Sequence, residues 1–142
     1  VLTRGDAVLA LQPLRRLATL ITPNLPEAIA LTEGLDEIAA QARWLLQDAA
    51  NVLIKGGHGE GNMVVNRWFS ADAQRSWSWP RLPGEFHGSG CTLASAIAAW
   101  LAQQQEMAVA IDSAQAYTQR CLERVFAIAE GQTIPDRSGE MQ

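Results

Sequence analysis

The chain has 142 residues, 48% hydrophobic and 18% charged, with a formal net charge of −4. This is the composition of a globular protein with enough length for one domain and a real core, and it excludes general disorder. The eleven Lys and Arg form no basic stripe, no apolar run approaches the roughly 18 residues of a membrane span, and two cysteines are too few for a disulfide framework, which argues against nucleic-acid, membrane and secreted-scaffold roles.

Taken in chain order, residues 6 to 17 are helix-compatible but divided by Pro13. "ATLITPN" then reads as a short buried strand ending at Thr22, because Pro23 cannot continue a ladder. "NLPEAIALTEG" predicts a helix with Asn24 as N-cap, Pro26 and Glu27 in the first turn and Gly34 as the stop. Leu35, Ile38, Ala39, Ala42, Leu45, Leu46 and Ala49 then recur at helical spacing, predicting an amphipathic helix with a polar outer face.

"NVLIKGGHG" is a short apolar run bounded by glycines, the pattern of a strand covered on both faces. Residues 62–69 and 74–80, rich in Val, Phe and Trp, predict a β-hairpin. Two helices follow, at 90–103 and about 107–130. The first is apolar nearly all round and is expected to be the more buried; the second carries a stripe from Met107 through Tyr117 and Cys121 to Val125 and Ile128. The tail "GQTIPDRSGEMQ" has the composition of a mobile end. Alternating helices and strands imply α/β layering.

Chemistry concentrates at "HGSGC", 87 to 91. The first turn of a helix leaves four N–H groups without intrahelical partners and carries partial positive charge, and small residues there let an anion approach the amides. Gly88, Ser89, Gly90 and Cys91 therefore read either as an anion hole, with Cys91 as a base or nucleophile in the same turn, or as a plain Gly/Ser helix start followed by a small core cysteine. Asn24 and Glu27 read equally as a capping box. Lys55, at the carboxyl end of a strand, stands where α/β sheets bind ligands, although exposed strand-end lysines are common. His87 and Cys91 alone are a weak metal pair. No Walker A loop or dinucleotide fingerprint is present.

Three segments in register, "ITPNLPEA" (21–28), "VLIKGGH" (52–58) and "HGSGCTLASAIAA" (87–99), resemble the hydroxymethylpyrimidine/phosphomethylpyrimidine kinases of thiamin biosynthesis, in the ribokinase-like superfamily. Cys91 is the sharpest marker, since sugar-kinase relatives carry Asp there. The resemblance covers about residues 5 to 130. It implies an α/β fold, the C-terminal half of a mainly parallel sheet flanked by helices and carrying a β-hairpin, with 1–130 as a partial kinase domain and 131–142 as a tail.

The same resemblance implies cytoplasmic, ATP-dependent phosphorylation of a small pyrimidine alcohol. Gly88, Ser89, Gly90 and Cys91 would cradle and transfer the phosphoryl group, Lys55, Gly57 and Thr92 would contact ATP phosphates, and Asn24 and Glu27 would organise Mg²⁺ through water. Glu85 and Phe86 depart from the polar pair found in relatives. With Val1 as first residue and Met63 as first methionine, the sequence also reads as a fragment lacking the pyrimidine-binding half, expected to form a homodimer or to associate with a missing N-terminal segment. Pyridoxal or pyridoxine kinase activity and a truncated, non-catalytic ligand-binding module are the alternatives; a thiol hydrolase using Cys91 and His87 fits the motifs less well.

Overall fold

The computed structural model describes residue 10, residues 12–127 and residues 133–139. Expectations for 6–9, for the last helix from 128 (Ile128 included) and for tail positions 131, 132 and 140–142 lie outside these residues. The chain divides into two compact units, Val1–Arg81 and Leu82–Gln142.

In the first unit, residues 12–15 are helical, and the buried Arg15 ties this turn down. Its guanidinium pairs with Asp48 at 3.2 Å, donates to the Leu31 carbonyl at 3.4 Å and lies over the Trp44 ring. The strand expected at 18–22 is reduced to two parallel bridges, Ile21 with Val52 and Asn24 with Lys55. Ile21 is only half-buried, and Pro23 contributes an acceptor but no donor, taking the Lys55 N–H at 2.8 Å.

Helix α1, Leu25–Leu31, begins at Asn24 as expected, and Gly34 turns its end by donating to the Ile29 carbonyl. Helix α2, Ile38–Leu45, starts at Glu37, whose carboxylate accepts from the amides of Ala39 and Ala40. One polar residue of α2 turns inward: Gln41 is buried and donates to the Leu35 carbonyl. Between the 21–24 segment and strand β1, Asn51–Ile54, these two helices form the crossover that parallel pairing requires.

Val52, Leu53 and Ile54 are consecutive and all buried, so both faces of β1 are covered. Strands β2, Met63–Ser70, and β3, Gln74–Pro80, form the expected hairpin. The sheet order is β1-β2-β3 with both pairings antiparallel, because short loops join these strands. Among the described residues of this unit, parallel pairing is confined to the 21–24 edge. The core joins Ala28, Ala42, Leu45, Ala49, Val52 and Ile54; burying each large aliphatic side chain contributes about 1.5–3 kcal/mol.

The second unit pairs helix α3, Ser89–Ala102, with helix α4, Met107–Glu123. Contrary to the sequence expectation, α4 is the more buried. It covers Ala110, Ile111, Ala114, Gln115, Tyr117, Thr118 and Cys121, whereas α3 covers Thr92, Leu93, Ala96 and Ile97. The reason is side-chain size: much of the apolar character of α3 is alanine, which loses little by facing water. Helix α4 also stops earlier than expected, because Phe126 and Ile134 exchange backbone hydrogen bonds at 3.1 and 3.2 Å and draw the chain out of the helix.

The segment 133–139 is not the loose end its composition suggests. Thr133 donates to the Glu85 carbonyl, His87 donates to the Thr133 carbonyl, Asp136 donates to the Cys121 carbonyl, and Pro135 is fully buried.

Candidate functional site

The residues singled out by sequence fall into two groups, each assembled within its own unit. In the first unit, the N-terminus of α1 and the end of β1 meet through the Asn24–Lys55 bridge. Asn24 Oδ1 accepts the Glu27 N–H at 2.8 Å, and Glu27 Oε2 accepts the Asn24 N–H at 2.9 Å, a reciprocal capping box. Glu27 Oε1 has no hydrogen-bond partner among the described residues. One uncommitted carboxylate oxygen fits a water-mediated role toward Mg²⁺, which keeps several of its waters, and does not fit a closed set of protein ligands.

Beyond Lys55 the chain turns through a glycine-rich loop, and the structure shows what shapes it. The buried Gly56 N–H donates to Asn66 Oδ1 at 2.9 Å, and a Cβ at this position would lie 2.2 Å from the Val65 carbonyl oxygen. Gly56 is therefore required by the close approach of β2. Gly57 differs: a Cβ there would meet no atom within 4 Å, so packing does not demand glycine.

The half-buried Arg81 then gathers the loop. It donates to the carbonyls of Gly57 at 2.7 Å, Gly59 at 2.7 Å and Gly61 at 2.8 Å. A planar guanidinium with five donors can meet three carbonyls at once. Sequence reasoning missed this residue, whose only signal was an arginine directly after the hairpin.

In the second unit, α3 starts at Gly88, whose φ of 86° is left-handed, and no side chain caps that start. The amides of Ser89, Gly90 and Cys91 have no protein acceptor among the described residues. Cys91 is exposed and Ser89 and Gly90 are half-buried, so hydrocarbon does not seal the turn. Thr92 is buried and braces the turn from within: its hydroxyl donates to the Gly88 carbonyl at 2.8 Å and its N–H to the same oxygen at 2.9 Å. Arg137 donates from Nε to Thr92 Oγ1 at 2.8 Å. Sequence reasoning missed it too, having assigned it to the tail. The exposed His87 donates its backbone N–H to the Thr133 carbonyl, a partner distant in sequence.

Residues 1–136 match the model of the phosphomethylpyrimidine kinase family. A hydroxymethylpyrimidine/phosphomethylpyrimidine kinase of Rhizobium meliloti is 36% identical over 92% of this chain and 52% of its own length. The thiamine biosynthesis bifunctional protein ThiED of Geobacter sulfurreducens is 39% identical over 82% of this chain and 25% of its own length. Among solved structures, an ADP complex of Bacillus subtilis pyridoxal kinase superposes with a TM-score of 0.86 at 26% identity, covering 94% of this chain and 54% of that one. The chain thus spans about half the length, or less, of the proteins it matches.

Proposed function

Since this chain belongs to the phosphomethylpyrimidine kinase family, we propose that it carries phosphoryl-transfer machinery for the ATP-dependent phosphorylation of hydroxymethylpyrimidine and its monophosphate. The observation that supports this most directly is the open first turn of α3. A left-handed glycine, no capping side chain and three amides without protein acceptors form a preorganised receptor for a phosphoryl group.

In the proposed reaction the substrate hydroxyl oxygen attacks the γ-phosphorus of ATP and the bond to the ADP oxygen breaks. The hydroxyl proton passes to Cys91 Sγ in its thiolate form. The amides of Ser89, Gly90 and Cys91 hold the phosphoryl oxygens as charge redistributes, and Thr92 keeps that turn in place. Because such transition states are loose, positioning and charge stabilisation carry most of the catalysis, and a weak base at the Cys91 sulfur suffices. Lys55 and the amide side of Gly57 hold ATP phosphates. Mg²⁺, when bound, neutralises phosphate charge, with Glu27 and Asn24 orienting its waters.

The similarity to a pyridoxal kinase supports a second reading, in which the alcohol is pyridoxal or pyridoxine. Offering the protein each alcohol with ATP and Mg²⁺ separates the two, and turnover of neither removes the kinase proposal. In the active protein, Cys91→Ser is expected to lower kcat by about 10²–10⁴ with the KM for ATP little changed. A loss below about tenfold would assign the chemistry to the amides alone.

A further inference from the structure

Arg137 stands in a segment that composition marks as a loose end, yet the second unit holds it in place from several directions. Asp136 donates its N–H to the Cys121 carbonyl at 3.0 Å, Tyr117 donates its hydroxyl to the Arg137 carbonyl at 3.3 Å, and Pro135, just before Asp136, is fully buried. The backbone on either side of the guanidinium is fixed, so the side chain is delivered rather than trailing.

What it is delivered to is the start of α3. Nε meets Thr92 Oγ1 at 2.8 Å, and Nη2 comes within 3.4 Å of the Gly88 carbonyl oxygen. The fit is close: a Cβ on Gly88 would lie 2.7 Å from Nη2. Thr92 Oγ1 accepts from Arg137 and donates to the Gly88 carbonyl, so guanidinium, hydroxyl and carbonyl form one chain of hydrogen bonds ending at the left-handed residue. The charge is also in an unusual place. A helix N-terminus carries partial positive charge and disfavours a cation beside it. An arginine held there by its backbone, against that field, is suited to a moment when a negative group shares the turn.

We propose that Arg137 is a positioning residue for phosphoryl transfer: through Thr92 and Gly88 it holds the first turn of α3 so that the amides of Ser89, Gly90 and Cys91 stay aimed at the incoming phosphoryl oxygens. The inference rests on the kinase reading of that turn, and makes the C-terminal segment part of the site. Lysine is a poor substitute, since one ammonium cannot reproduce the two-point fork.

Two readouts test it in the intact protein. Arg137→Ala should lower kcat by about tenfold or more with the KM for ATP within about twofold, Arg137→Lys should recover little, and millimolar guanidinium should restore part of the rate of the alanine variant. Independently of turnover, inorganic phosphate should shift the amide resonances of Ser89, Gly90 and Cys91, and Arg137→Ala should need about tenfold more phosphate for the same shift. Should the alanine variant melt early, Arg137→Gln, which keeps a donor without the charge, takes its place. A wild-type phosphate response in these variants overturns the inference whatever the kinetics show, as does an unchanged kcat. A wild-type protein that turns over no alcohol removes the kinase reading, and with it the positioning role in phosphoryl transfer assigned to Arg137.

Discussion

The loop at 56–61 and the turn at 88–92 are both small-residue segments closed by an arginine, but they are held by different means. The loop is built around a backbone contact. Gly56 lies under the Val65 carbonyl, its amide is held by a buried asparagine, and Arg81 collects three carbonyls from outside. The turn has one backbone bond of its own, from the Thr92 N–H to the Gly88 carbonyl, and is otherwise held by side chains: one threonine hydroxyl and one guanidinium from 45 residues further along. Backbone contact leaves almost no freedom, whereas a side-chain clamp can yield. Under the proposed function, that difference gives the loop one fixed shape and leaves the aim of the turn to its arginine and threonine.

The largest effect should come from Gly56→Ala. Its Cβ would meet the Val65 carbonyl oxygen at 2.2 Å, and β2 cannot retreat because it is paired to β1 and β3 on its two sides. Loss of about 3 kcal/mol or more is expected, read as a lowered midpoint in denaturant unfolding. A loss below about 1 kcal/mol would show that the loop is as compliant as the turn.

Arg81→Ala comes next. Three carbonyls lose a charged donor, but the site is only half-buried and water can replace part of what is lost, so about 1–2 kcal/mol is expected. Arg81→Lys should recover less than half, since an ammonium cannot span the three oxygens. Full recovery by lysine would reduce the clamp to a simple charge effect.

Gly88→Ala should cost less, about 1 kcal/mol from forcing an L residue into the left-handed region. Its new Cβ would meet only the tip of Arg137, which can swing away. The informative signal is therefore local: the Arg137 to Thr92 hydrogen bond should be lost while global stability changes little. Equal losses for Gly56→Ala and Gly88→Ala would erase the distinction between the two regions.

Sequence made some of this legible and hid the rest for a physical reason. The Asn24–Glu27 box, the β1 strand and the hairpin are short-range patterns, and each appears where spacing placed it. The glycines at 56 and 88 were visible as glycines, but not that one answers to sterics and the other to backbone handedness. Arg81 and Arg137 act over 20 to 49 residues of separation, and no local pattern announces such a partner. Helix α3 was misjudged because alanine counts as apolar while asking little of the core. The tail was misjudged because composition does not show that Pro135 finds a buried seat.

Acid should separate the two clamps most gently. Ser138 hydrogen bonds hold the Asp136 carboxyl below the ordinary carboxylate range, with the backbone amide of Ser138 donating at 2.9 Å. A carboxyl depressed in the folded state contributes stability that is fully present above its unfolded value of about 3.9 and fades as pH falls through the lower folded value. The Ser138 amide resonance should therefore titrate with a midpoint under that of an unfolded aspartate, and Asp136→Asn should abolish the transition. Because Arg137 is the next residue, the Arg137 to Thr92 contact should weaken over the same window. The partners of Arg81 are carbonyls, which do not titrate, so that clamp should pass through the window unchanged. An Asp136 midpoint at or above the ordinary value, or equal acid sensitivity at both arginines, would show that the tail does not hold the turn in the way the hydrogen bonds indicate.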